Sequence, residues 1–269
     1  MIEGLGEARR RVKLSIRYNG QFFLGFQIQH SGPTVCGELS TVLSRLLGHK
    51  ITVVGAGRTD KGVHAMGQVV HADVPLGIGN QVLLDTLRAC LEPQRIQIVA
   101  IESVDTNFQA RFDAKSRVYD YHLVPNGAGD IGLALAPWVW RVEPGTGWSL
   151  TRFKQALTFY QGKHDFSRFT VTAREAIDPV REIFSVSLKK LIWQEFLIEN
   201  AEPVRLYRIR IVGQGFLRQM VRFMVAAAVE VGQGHLTLAE LKNAVQNKVD
   251  IPRRLAAPPQ GLVLRQVNY

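Results

Sequence analysis

Between Val12 and Tyr18, apolar side chains at Val12, Leu14, Ile16 and Tyr18 alternate with Lys13, Ser15 and Arg17, a period of two that predicts a half-buried strand with a basic outer face. The period then changes: Val35, Leu39, Val42, Leu43 and Leu46 recur at helical spacing, and Gly48 closes the element. Ile51 to Val54 reads as a strand, followed by a glycine-rich turn and a further strand from Gly67 to Val74. A helix fits Asn80 to Leu91, with Asn80 as its N-cap and Pro93 beyond its end. Strands are predicted over Arg95 to Val104 and Lys115 to Val124. The Gly- and Pro-rich stretch 126–148 has no periodicity and reads as a connection. Beyond it come a helix capped by Ser149 and ended by Gly162, then strands near Val180 to Leu188, Trp193 to Ile198 and Val204 to Val212. A long helix near Phe216 to Val231, a capping box at Thr237 and Glu240, and a strand from Gly261 to Tyr269 complete the chain. Strands that do not strictly alternate with helices predict an α+β fold with mostly antiparallel pairing. The expected organisation is a lobe over 1–125, the connection 126–148 and a second lobe over 149–269.

Charge adds a partner class to this outline. Of the 269 residues, 33 are Lys or Arg and 23 are Asp or Glu, a formal net charge of +10. Such an excess favours polyanions, because each neutralised phosphate releases counterions, so nucleic acid is the expected ligand. Arg9, Arg10, Arg11, Lys13 and Arg17 form one basic tract and Arg205, Arg208 and Arg210 another; both are generic phosphate-positioning candidates. Cys36 and Cys90 form no CxxC pair, which fits a reducing compartment. The first residues mix Glu3 and Glu7 with arginines and carry no apolar core of signal-peptide length. Apolar stretches long enough to span a bilayer are absent, Pro137 and Glu230 interrupting the two longest. A soluble cytoplasmic protein is expected.

Against this basic background stands one acid, Asp60, at the tip of the run from Gly55 to His64. Gly55-Ala56-Gly57 does not extend to GxGxxG, because position 60 is Asp, and no GxxxxGK[ST] aligns on Lys61, so both nucleotide-loop patterns fail. A metal site would have to gather His64, His71 and Asp73 around Asp60, without any HExxH or Cys/His spacing; none is expected. Thr59-Asp60-Lys61-Gly62 also has β-turn chemistry, which leaves a turn residue as the alternative reading of Asp60.

The whole string Arg58-Thr59-Asp60-Lys61-Gly62-Val63-His64-Ala65, with Gly67-Gln68-Val69-Val70-His71 after it, resembles the signature of the TruA-type family of tRNA pseudouridine synthases. Tyr18-Asn19-Gly20 with Gly25-Phe26-Gln27-Ile28-Gln29 resembles the family's opening motif, and Ala110-Arg111-Phe112-Asp113-Ala114 with Arg117-Val118-Tyr119-Asp120-Tyr121 its middle one. His164-Asp165-Phe166, the run Gly215 to Arg222, and Ala257-Pro258-Pro259-Gln260-Gly261-Leu262 continue the likeness in the family's order, nearly end to end.

The resemblance implies a pseudouridine synthase fold of two related lobes with a central cleft, acting as a homodimer that cradles tRNA. It implies isomerisation of uridine to pseudouridine at tRNA positions 38–40, on the 3′ side of the anticodon arm, with neither cofactor nor metal. Asp60 would be the nucleophile, since holding the sugar or the base while the other turns is work for covalent attack; attack at C1′, attack at uracil C6, and abstraction of a ribose proton all remain open. Arg222 would pair with Asp60 and offset its desolvation, the alternative being an arginine at the helix rim. Tyr119 would stack on the uracil and assist proton removal at C5, or else be cross-strand packing. Leu262 would contact the base or be ordinary core, and Arg58 would steady the flipped nucleotide or bind phosphate.

The chain departs from the family pattern at Phe26, where Trp is usual, at Cys36 for Gln, at Gln109 for His and at Phe223 for Asn. A non-catalytic RNA-binding or RNA-chaperone protein on the same fold is the alternative function, and a metal-dependent phosphodiesterase a third.

Overall fold

The computed structural model describes residues 8–125, 135–142, 147–171, 178–193, 203–247, 249–252 and 254–269. They fall into two compact units, Met1–Lys115 with Leu264–Tyr269, and Ser116–Val263.

In the first unit the alternating stretch forms β1 (Arg9–Tyr18), which pairs antiparallel with β3 (His64–Pro75) and with β4 (Ile96–Val104). The two-residue β2 (Val54–Gly55) joins β3, and β10 (Leu262–Asn268) follows β3 in the strand order. Val12, Leu14 and Ile16 are fully buried, each worth roughly 1.5–3 kcal/mol over exposure. Helix α1 (Val35–Leu47) starts at Thr34, whose side chain accepts from the Gly37 amide, and stops at Gly48 in the left-handed conformation (φ 72°). Helix α2 (Asn80–Cys90) packs on β4.

Three local expectations change here. Ile51 to Val53 is not a strand: the Ile51 and Val53 amides donate to the hydroxyls of Ser44 and Ser40 (2.8 and 3.3 Å), so α1 takes the groups a ladder would have used. Asn80 is not the N-cap of α2. Gly79 is, because Asn80 Oδ1 is occupied by Arg10 Nη1 at 2.7 Å. The first basic tract is also largely committed within the unit: Arg11 forks onto Asp73 (2.8 and 2.9 Å), Arg10 holds Asn80, Ser103 and the Ile78 carbonyl, and Lys13 meets Glu102 at 2.9 Å.

The acid response of this unit follows from two neighbours on β3. Burial, reinforced by the Arg11 charge, lowers the pKa of His71 from its ordinary 6.5, so on acidification the unfolded chain takes up that proton first and stability is lost as pH falls below 6.5. The hydrogen bond from Arg11 lowers the pKa of Asp73 from 3.8, and its contribution, present above 3.8, is lost as pH falls through the lowered value. A urea midpoint measured against pH is expected to decline in these two stages; a rise between pH 6.5 and 5 would contradict the assignment.

The second unit orders its sheet β5-β9-β8-β7, with β5 (Ser116–Val124), β7 (Gly162–Asp165), β8 (Val180–Trp193) and β9 (Val204–Gly213) all antiparallel. Within 126–148, residues 135–142 form a short 3-10 turn and β6 (Trp140–Arg141), which runs parallel to β5. Helix α3 (Leu150–Thr158) keeps its Ser149 cap but ends at Phe159; Gly162 instead opens β7 at φ 109°. The predicted strand from Trp193 collapses into the end of β8, and 194–198 lie outside the described residues.

Helix α4 (Met220–Gln233) is buried on nearly every side and packs on α3, with Tyr160 donating to the Met224 carbonyl at 2.8 Å. The capping box of Thr237 and Glu240 opens α5 (Leu238–Val245). Arg210 is not a solvated phosphate contact, since both its Nε and Nη2 donate to the buried Asp120 carboxylate at 2.7 Å. The fold is α+β with mostly antiparallel strands, and no helix among the described residues is long and apolar enough to cross a membrane.

Candidate active site

Asp60 sits in the first unit on a loop fixed from several sides. Gly25 and Asp60 form an isolated antiparallel bridge, and the Phe26 amide donates to the Thr59 carbonyl at 3.0 Å. The Val63 amide then donates back to the Asp60 carbonyl at 3.1 Å, closing a turn through Gly62 at φ 79°. Two close approaches require glycine here. A Cβ at Gly20 would lie 2.2 Å from the Val63 carbonyl oxygen, and one at Gly55 would lie 2.3 Å from the ring of Phe26, which is 2% exposed.

Beneath the loop a buried polar set holds the backbone. The Tyr18 hydroxyl and Thr59 Oγ1 are 2.8 Å apart, and Gln68 Nε2 donates to the Gly57 carbonyl at 2.8 Å. Thr59 is buried, whereas its neighbour Arg58 is exposed and Asp60 half-buried.

Tyr119, Arg222 and Leu262 belong to the second unit. Tyr119 and Tyr121 share one face of β5, Tyr119 opposite Ile211 and Tyr121 opposite Ile209 on β9. The Tyr119 ring is buried and meets Phe216 edge to face at 5.0 Å. Phe216 can do this because residues 216–219, read from the sequence as helix, form a turn instead. Gln219 adopts φ 61° before α4, and the Met220 amide donates to the Leu217 carbonyl.

Arg222 lies in the first turn of α4. Its Nε donates to the Ala257 carbonyl at 2.7 Å, while its own carbonyl accepts from the Ala257 amide at 3.1 Å. The same segment continues to Pro258, whose carbonyl accepts from Tyr121 at 2.7 Å, and to a 3-10 turn Pro259–Gly261 pressed on the Tyr121 ring. Leu262 follows, 5% exposed. Burial pushes the Tyr121 hydroxyl pKa well up, the Arg222 charge partly opposing this, which keeps the phenol a donor. Arg222, the Tyr121 face of β5 and the approach to Leu262 are thus gathered at one place in the second unit.

A family model described as tRNA pseudouridine synthase matches residues 14–113 and 156–269. The chain belongs to the tRNA pseudouridine synthase family. Relatives named tRNA pseudouridine synthase A include one from Exiguobacterium sp., 34% identical over 97% of this chain and 98% of its own length. One from Phytoplasma mali is 34% identical over 96% and 98%, and one from Rhodopseudomonas palustris 36% identical over 96% and 99%. A solved H/ACA RNP bound to a substrate RNA containing 2′-deoxyuridine aligns at TM-score 0.33 and 11% identity, covering 81% of this chain and 44% of that one.

As a tRNA pseudouridine synthase the chain carries site features that the sequence did not single out. Phe216 against Tyr119, the Ala257 carbonyl against Arg222, and the set of Tyr18, Thr59 and Gln68 under the loop position candidate groups without being candidates themselves. Gln68, one of several polar residues on its strand, is fully buried. The histidines of the metal reading are engaged elsewhere: His64 Nδ1 accepts from the Gly20 amide and His71 Nδ1 from the Ala110 amide, both at 3.1 Å. Among the described residues no group of three His, Cys, Asp or Glu could hold a metal ion.

Proposed function

We infer that this chain, an isomerase of tRNA uridine by its family, works on uridines at positions 38–40 on the 3′ side of the anticodon arm with Asp60 as its nucleophile. In the reaction the C1′–N1 bond breaks, uracil turns, and a C1′–C5 bond forms; C5 loses its hydrogen and N1 gains one. Nothing is oxidised or reduced, and no co-reactant is needed. One group must hold a fragment during the turn, and a carboxylate does this by transient covalent attack.

The observation that carries this reading is an aspartate lifted to the tip of a loop whose backbone is locked by the Gly25 bridge, the Thr59–Tyr18 contact and the Gln68–Gly57 bond. Such pre-organisation is what a nucleophile needs and what a merely turn-forming Asp would not require. Arg58, exposed two residues before Asp60, steadies the extruded nucleotide, whose removal from the stack costs a few kcal/mol. Tyr119 stacks on the uracil and Leu262 contacts its edge.

Arg222 is the cation for Asp60 in this reading. Its Nε is held by Ala257, so a carboxylate would be met by the terminal nitrogens of a fork already fixed in direction. Arg222→Lys is expected to keep tRNA affinity while lowering turnover by roughly 10²-fold, because lysine reproduces neither the fork nor the bond to Ala257. Unaltered turnover would remove the residue from the site.

The family likeness also supports a homodimer that cradles tRNA, which sedimentation of the protein with and without tRNA would test. The thiols of Cys36 and Cys90 are free, which fits a reducing cytoplasm. The function itself is tested by tritium release from undermodified tRNA carrying uracil tritiated at C5. Release by the wild type is expected; tight tRNA binding with no release would leave an RNA chaperone, and shortened RNA sensitive to chelator a nuclease.

A further inference from the structure

The loop between β4 and β5 holds the most exposed large apolar side chain described, Phe112 at 76%. Its exposure is built into the loop. Two residues earlier, Ala110 is fully buried, its amide on His71 Nδ1 at 3.1 Å and its carbonyl on the Tyr269 hydroxyl at 2.7 Å. Phe108 is turned inward too, its ring 5.1 Å from Tyr269 and its carbonyl accepting from Arg11 at 3.0 Å. Between them and Phe112 the chain is tied in a tight turn. The Phe112 and Asp113 amides donate to the Gln109 carbonyl (3.1 and 3.0 Å), and the Gln109 amide donates to Asp113 Oδ2 at 2.8 Å.

The turn is anchored to β1, β3 and Tyr269, so the backbone that carries the outward ring is fixed in place. Arg111 lies over that ring, its guanidinium carbon 5.3 Å from the centroid.

An exposed aromatic on a fixed turn, with a guanidinium on one face, has the chemistry of a stacking partner for a nucleobase. The free face takes the base and the neighbouring charge takes the adjoining phosphate. A protein partner of ordinary composition would gain little from the charge, whereas this chain carries a net +10 and acts on RNA. We propose that Phe112 and Arg111 form a platform on which an unpaired base of the tRNA, distinct from the isomerised uracil, stacks and so docks the substrate. The proposal rests on the tRNA reading above but not on Asp60.

Its test is the affinity of Phe112→Ala, Phe112→Leu and Phe112→Trp for unmodified tRNA by filter binding across a salt series. The side chain contacts solvent, so folding is not at stake. Loss of one stack weakens binding roughly 5- to 140-fold. Alanine and leucine should both show that loss with a matching rise in KM, and tryptophan should bind like the wild type. Arg111→Gln should lower the salt slope by about one. Wild-type affinity for Phe112→Ala overturns the platform, as does full binding by the leucine variant, which would mark simple apolar contact. A changed oligomeric state would assign the ring to an interface between copies instead. Tritium release by the wild type, run alongside, reports separately on the isomerase reading.

Discussion

Asp60→Asn is expected to abolish tritium release, lowering turnover by roughly 10⁴-fold or more, while tRNA affinity stays the same or rises slightly. The substitution preserves shape. The loop is held by main-chain groups and by Thr59, with the Phe26 amide on the Thr59 carbonyl and the Val63 amide on the Asp60 carbonyl, and none of these bonds involves the changed atoms. What changes is chemistry: a neutral amide does not form the covalent adduct, and a negative charge is withdrawn from a surface meeting phosphates. Binding and turnover should therefore separate. If both fell together, Asp60 would be a structural residue of its loop.

Gly25→Ala is expected to cost both turnover and stability, although it touches no proposed catalytic atom. Gly25 has φ 116°, where L residues are strained, and its Cβ would lie 2.9 Å from the Thr59 carbonyl oxygen and 3.4 Å from the Asp60 carbonyl carbon. Relief requires the Gly25–Asp60 bridge to open. A displacement of about 1 Å at a reacting group costs roughly 10²-fold in rate, and that is the expected loss of turnover, together with lower thermal stability. Gly48→Ala is the control: also left-handed, at φ 72°, but with nothing within 4 Å of its Cβ. It should lose about 1 kcal/mol of stability and leave turnover unchanged. Wild-type turnover in Gly25→Ala would show that the bridge does not set the position of Asp60.

What the sequence disclosed was what local chemistry decides. The period of β1, the Thr237 capping box and Gly48 as a helix stop depend on neighbours within one or two turns, and they stand as read. Several of the misreadings share a cause, a distant group taking a hydrogen bond that local patterning would assign elsewhere. Ser40 and Ser44 draw the Val53 and Ile51 amides away from a ladder, and Arg10 draws Asn80 away from its cap. Asp73 and Asp120 convert Arg11 and Arg210 from surface charges into internal ties. The site was legible as residue types and motif order. Its supports, Phe216 on Tyr119 and Ala257 on Arg222, join chain segments far apart in sequence, and although both residues lie in the motifs, nothing local marked the pairings.

The central claim, a carboxylate that rearranges a base-to-sugar bond in tRNA, is tested most directly by mapping pseudouridine position by position in tRNA from cells lacking this chain, then complemented with the wild type or with Asp60→Asn. Pseudouridine should disappear from the 3′ side of the anticodon arm and return with the wild type alone. Undiminished pseudouridine in the deletion, or restoration by the asparagine variant, would contradict it.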